Sequence, residues 1–138
     1  MRRTCDLLIV GSGPAGTAAA IAARQNAPNL HTLVIDRTTF PRDKTCGDGL
    51  GPGVVARLEQ LGATDLLADS RPIDSLRIVG PSGESVSGPL PTIGSSEPKG
   101  FVIPRQDFDA ALQTRAVAEG VELLPEHKLV TLDTSPTH

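Results

Sequence analysis

At 138 residues the chain has room for one domain of ordinary size, and with 38% hydrophobic and 21% charged residues it can bury a core. A formal net charge of −3, three Phe and no Tyr or Trp argue against a nucleic-acid binder, which needs a basic face or stacking platforms. Two cysteines, Cys5 and Cys46, with no C-x-x-C pair and no His ligand pattern, do not make a disulfide framework or a zinc site.

A reducing cytoplasm suits such a chain. Met-Arg-Arg at the start is basic, but the apolar run Leu7–Val10 is too short for the core of a signal peptide. Nothing approaches the roughly 20 apolar residues of a membrane span. Peripheral contact with a membrane stays open.

Residues 5–10 (Cys-Asp-Leu-Leu-Ile-Val) form a nearly continuous apolar run, the pattern of a strand buried on both faces of a parallel sheet. A glycine cluster follows. Residues 14–25 are Ala-rich, and Pro14 suits the first turn of a helix, where its missing N–H is not needed. Ala18, Ala19, Ala22 and Ala23 keep that helix thin enough to lie close to a sheet. Residues 31–36 (His-Thr-Leu-Val-Ile-Asp) read as a second strand, so residues 5–36 predict one βαβ unit. Residues 37–53 are a polar, glycine-rich loop, long enough to expect function in it.

Val54, Val55, Leu58 and Leu61 recur at helical spacing, with Gly62 placed to end the helix. Leu76, Ile78 and Val79 predict a strand, Pro81-Ser82-Gly83 a turn, and residues 84–87 an antiparallel return. Residues 88–99 are rich in Pro, Gly and Ser and read as an exposed connection. Residues 100–104 predict a short strand. Phe108, Leu112 and Ala116 line one face of a helix that starts at Arg105 and ends at Gly120. Residues 121–124 and 128–132 are the last strand candidates. No internal repeat is present.

The strongest motif is Gly11-Ser12-Gly13-Pro14-Ala15-Gly16. A bare G-x-G-x-x-G is weak, but this one follows a buried-strand pattern, opens a helix, and has the acidic Asp36 at the end of the next strand. Gly11 allows the tight turn, Gly13 leaves room for a pyrophosphate, and Gly16 lets helix and strand pack closely. The helix N-terminus offers N–H groups and partial positive charge to phosphates. Asp36 can accept hydrogen bonds from ribose hydroxyls. Arg37 reads as a solvated cation at a strand end or as a partner for a 2′-phosphate, so these residues leave FAD and NAD(P) both open.

The loop Phe40-Pro-Arg-Asp-Lys-Thr-Cys46-Gly47-Asp48-Gly49 is the second signal. Its glycines let backbone approach a flat ligand. Cys46 is either an exposed thiol favoured as thiolate or an inert surface residue. Arg105, a cation at a helix N-terminus, is opposed by the macrodipole; it wants a nearby anion, from a bound diphosphate or from Asp107 or Asp109. Cys5 reads as a small core residue. His31, His127 and His138 lack partners for a catalytic base.

The run Leu-Leu-Ile-Val-Gly-Ser-Gly-Pro-Ala-Gly, then Val-Ile-Asp-Arg, Phe-Pro-Arg-Asp-Lys-Thr-Cys-Gly-Asp-Gly-Leu and Ile-Pro-Arg-Gln-Asp-Phe-Asp, resembles the geranylgeranyl reductase family of FAD enzymes, built like para-hydroxybenzoate hydroxylase. The likeness runs over almost the whole chain, and the Phe-Pro-Arg-x-Lys-x-Cys-Gly-Asp-Gly loop is its most specific part. It implies an α/β, Rossmann-like FAD-binding domain formed by residues 1–65 and 105–138, with residues 66–104 starting an antiparallel substrate domain.

It also implies FAD in the glycine-rich site. Gly11, Gly13, Pro14, Ala15 and Gly16 would hold the diphosphate, and Asp36 with Arg37 the adenosine ribose. Cys46, Gly47, Asp48 and Gly49 match the loop near the isoalloxazine, with Cys46 as the catalytic candidate. Arg105 matches a cofactor-contacting Arg, and Leu129 a position beside adenine. Such enzymes reduce double bonds in prenyl chains, with NADPH or ferredoxin as electron donor. No metal is implied. A second Gly-Asp motif and a large substrate domain lie downstream in these enzymes, so the resemblance implies an N-terminal part whose own activity is doubtful. A monooxygenase or halogenase on the same scaffold is the alternative reading, and a nucleotide-binding module without activity is the other.

Overall fold

The computed structural model describes residues 2–93 and 98–134. His138 and residues 94–97 of the predicted exposed connection lie outside the described residues. In chain order the elements are β1 (Leu7–Val10), α1 (Pro14–Asn26), β2 (Thr32–Ile35), β3 (Gly49–Leu50), α2 (Pro52–Gln60), a 3-10 turn (Thr64–Leu67), β4 (Arg71–Ile73), β5 (Ser75–Val79), β6 (Ser85–Pro89), β7 (Gly100–Val102), α3 (Arg105–Ala118) and β8 (Glu122–Leu124).

Two compact units divide them: Met1–Arg42 with Asp109–His138, and Asp43–Phe108. Residues 43–65 and 105–108, grouped with the nucleotide part from sequence, fall in the second unit.

The first unit holds a parallel sheet of order β1-β2-β8. Leu7 pairs with Thr32 and Val10 with Ile35, while Leu33 pairs with Glu122 and Ile35 with Leu124. Consecutive parallel strands need a crossover, and the Ala-rich α1 supplies it between β1 and β2. Ala20 and Ile21 of α1, Leu33 and Val34 of β2, and Leu112 and Ala116 of α3 are buried and form the core.

β1 departs from its expected two-sided burial: Leu8 and Val10 are exposed, whereas Leu33 and Val34 of β2 are covered. The strand expected over residues 128–132 does not form. Val130 is 87% and Leu132 70% exposed, so neither has a layer to bury into that would repay strand order.

In the second unit β7 pairs antiparallel with β3 on one side and β4 on the other. Leu50, Val55, Leu58, Ala63, Leu67, Leu90 and Phe108 are its buried apolar residues. β3, β4 and the 3-10 turn carry no sequence period, since two to four residues are too few to show one. β5 and β6 form the predicted hairpin, with Arg77 opposite Ser87 and Gly83 at φ +91 in its turn. Among the described residues no helix is long and apolar enough to cross a membrane.

The glycine turn holds the β1–α1 corner closed. Gly11 has φ +104, which an L side chain rarely adopts. A Cβ on Gly16 would stand 1.9 Å from the Gly11 carbonyl oxygen. Gly16→Ala should therefore destabilise the chain by about 1–3 kcal/mol in urea unfolding, the usual cost of forcing atoms into a filled space. Gly13→Ala, with nothing within 4 Å of the added Cβ, should cost less than half of that.

Candidate functional site

The turn between β1 and α1 is fixed from below by one carboxylate. Asp36 follows β2, and its Oδ2 accepts hydrogen bonds from the Ser12 N–H (2.8 Å) and the Ser12 hydroxyl (3.0 Å). Its Oδ1 accepts from the Thr38 N–H (2.9 Å) and the Thr38 hydroxyl (2.8 Å). Four donors occupy the four lone-pair positions of the carboxylate. Burial pushes the Asp36 carboxyl up, yet the Ser12 and Thr38 hydrogen bonds outweigh it and bring the pKa down to about 2.

Gln113 of α3 completes the support. Its Nε2 donates to the Ser12 carbonyl (3.1 Å) and to the Ser12 hydroxyl oxygen (2.8 Å), and the Thr17 hydroxyl donates to the same carbonyl (2.8 Å). Ser12 is 1% exposed, so this network is sheltered from water. Gly11 is held to β2 by its N–H on the Ile35 carbonyl (2.8 Å).

A cavity of about 280 Å³ opens beside this turn. Gly11, Asp36, Arg37, Arg42, Lys128 and Leu129 line it. Segment 127–129 is docked there by the His127 N–H, which donates to the Asp36 carbonyl (2.8 Å). Four residues singled out in sequence, Gly11, Asp36, Arg37 and Leu129, thus meet at one cavity, although nearly a hundred residues separate Arg37 from Leu129 in the chain. Gly13, Pro14, Ala15 and Gly16 continue the turn into the first turn of α1.

The remaining candidates gather in the second unit. The Arg105 guanidinium Nη1 lies 3.5 Å from the Cys46 sulfur, and the Arg105 backbone N–H donates to Asp48 Oδ1 (3.0 Å). Asp48 adopts φ +54, and its carbonyl accepts the Ile103 N–H (3.0 Å), which pins the loop to the end of β7. The hydrogen bond from Arg105, with a second from the Asp48 backbone, holds the exposed Cys46 thiol below its ordinary pKa. Gly47 and Gly49 flank Asp48, both with open space for a Cβ beyond 3.4 Å.

Sequence reasoning misses five residues of these sites: Ser12, Thr38, Arg42, Gln113 and Lys128. A Gln inside an otherwise amphipathic helix was the one local signal available for Gln113, because a buried amide needs partners. His31 Nε2 lies 2.8 Å from Glu122 Oε2, and His127 Nδ1 lies 2.7 Å from the Pro125 carbonyl. Among the described residues no group of three or more His, Cys, Asp or Glu could hold a metal.

The depressed Asp36 pKa makes stability depend on pH. The folded value lies below the ordinary 3.8, so its contribution is complete above pH ~4 and is lost as pH falls toward ~2. That contribution is on the order of 2 kcal/mol. Urea unfolding across this range should show the loss in the native chain, and Asp36→Asn should flatten it while lowering stability at neutral pH.

Cys46 should react with iodoacetamide with a pH midpoint below that of a free thiol. Arg105→Met should move the midpoint up.

No family model matches the chain. Over 130 residues it is 41% identical to a menaquinone reductase of Mycobacterium tuberculosis, covering 94% of this chain and 31% of that protein. It is 33% identical over 120 residues to digeranylgeranylglycerophospholipid reductase 3 of Methanosphaera stadtmanae, covering 86% of this chain and 29% of the relative. The chain thus spans under a third of the length of these curated relatives.

Among solved structures, a geranylgeranyl bacteriochlorophyll reductase-like protein from Thermoplasma acidophilum matches with a TM-score of 0.70 at 27% identity, over 90% of this chain and 28% of that one. CmlS, a flavin-dependent halogenase, matches with a TM-score of 0.81 at 20% identity, over 96% of this chain and 24% of that one, a likeness of fold alone. The parallel sheet and the glycine turn are those of the FAD-binding, Rossmann-like flavoproteins, and the chain is similar in sequence to reductases and in structure to geranylgeranyl reductase-like and halogenase-type flavoproteins.

Proposed function

We propose that the chain supplies the adenosine-diphosphate end of an FAD site in an oxidoreductase that reduces double bonds of a prenyl chain. The carrying observation is the cavity beside the β1–α1 turn, where Gly11, Asp36, Arg37 and Leu129 converge. The residues present fit the group. Gly13 leaves open space where a side chain would block a diphosphate. The first-turn N–H groups of α1 have no acceptor within the helix and point toward the turn.

FAD is favoured over NAD(P) by the flavoprotein relatives and by the Cys46-Gly47-Asp48-Gly49 loop, which in this reading lies near the isoalloxazine. In this reading Cys46 is the catalytic candidate and Arg105 a cofactor contact, and Asp48 holds both in place through its own hydrogen bonds. FAD when bound supplies the hydride; the chain's own residues bind and orient it. The prenyl substrate is supported by the relatives' names, since menaquinone and digeranylgeranyl lipids both carry isoprenoid chains. NADPH or ferredoxin would deliver the electrons, and contact with a lipid surface would bring the substrate.

A monooxygenase or halogenase reading is supported by shared fold and by a flavin-dependent brominase 26% identical over 86% of this chain; the Cys-Gly-Asp-Gly loop and the reductases at 33% and 41% identity favour the reductase.

The test is an absorbance spectrum of the purified chain after FAD is added and the excess removed. Retained bands near ~370 and ~450 nm, as for any oxidised flavin, are expected, with bleaching by NADPH or reduced ferredoxin where the flavin end is complete. Gly13→Val should lose the bands while keeping the thermal melt, because the added atoms meet open space in the fold. Retention of flavin by Gly13→Val would overturn the assignment of the turn.

A further inference from the structure

The cavity beside the glycine turn contains one carboxylate, and that carboxylate is already satisfied by Ser12 and Thr38. The other charged residues lining it are Arg37, Arg42 and Lys128, so its free charge is positive. Arg42 stands apart among them. Its Nε is buried without a hydrogen-bond partner, and its guanidinium carbon lies 4.8 Å from the Phe40 ring centroid. The ring therefore holds the guanidinium plane by a cation–π contact, with no acceptor engaged at Nε. Nε itself is sealed off, so an anion in the cavity would pair with the rest of the guanidinium, whose charge is held at the wall by the ring. Gly11, the residue of the tight turn where a diphosphate would bind, lines the same cavity.

We infer that Arg42 is a positioning residue for the phosphate of an adenine dinucleotide, its guanidinium held by Phe40 at the cavity wall where it can pair with a phosphate oxygen. This rests on the dinucleotide reading above and gives a role to a residue of the 40–49 loop that the sequence reading left without one. Arg in this position brings charge together with a fixed donor geometry, which Lys cannot reproduce.

The experiment is calorimetric binding of ADP, adenosine and FAD to the 138-residue chain and to Arg42→Met and Arg42→Lys. Arg42→Met should weaken ADP and FAD roughly 10-fold, the effect of losing one charge-assisted hydrogen bond, and leave adenosine unchanged. Arg42→Lys should recover part of the loss. Equal weakening of ADP and adenosine overturns the phosphate assignment, and unchanged ADP binding overturns any role in the site. Should Arg42→Met melt well below the native chain, Arg42→Gln, which removes the charge and keeps an amide donor, gives the same readout. A native chain that binds neither ADP nor FAD overturns the dinucleotide reading itself, and this inference with it. Native FAD binding with no Arg42 effect overturns this inference alone.

Discussion

The site depends on one carboxylate. Asp36 does not project into the cavity as a spare acceptor; both its oxygens are tied to backbone and hydroxyl donors of the chain. Through Ser12 it sets the height of the glycine turn, and through Thr38 it sets the direction in which the chain leaves β2. Its charge stays on because four donors stabilise the ionised form more than burial opposes it. An acidic residue at the end of a second strand is usually read as a ligand contact. Here its first task is architectural, and contact with a ribose would add to a geometry it has already built.

Much of this was legible beforehand. The β1–turn–α1–β2 order follows from an apolar run, a glycine cluster and an Ala-rich stretch, each a local signal with its own period. The two residues that matter most for the turn's rigidity, Asp36 and Gln113, differ in this respect. Asp36 is recognisable because its distance from the glycines is part of the motif. Gln113 is not, since its partner lies 101 residues earlier, and an amide within an amphipathic helix says only that it needs partners, not which. Arg42 was hidden for another reason: it sits in a loop of mixed charge, where sequence cannot tell a cation held over an aromatic ring from a solvated one. The expectation of a strand at residues 128–132 failed because alternating apolar residues form a strand only where a neighbour can take their hydrogen bonds.

The Cys46 loop illustrates how residue type and environment combine. A Cys between glycines and cations has two readings of equal standing in sequence. In the structure the Arg105 guanidinium and the Asp48 backbone both favour the thiolate, and Asp48 at positive φ turns the loop so that one side chain serves the helix start while its carbonyl serves β7. Asp48 thereby answers the question that Arg105 poses at a helix N-terminus: an anion is present, and it is the chain's own.

The first unit is assembled from both ends of the chain, with residues 43–108 interposed. β2 finds β8 only after some ninety intervening residues have been made, a distant pairing whose closure is slow and entropically costly. On a ribosome, Gly11, Asp36, Arg37 and Arg42 emerge well before Gln113, Lys128 and Leu129. The pocket beside the glycine turn therefore cannot exist before β8 has been made. Any ligand of this pocket must wait for β8, and one that favours the closed sheet acts as a fastener on that strand.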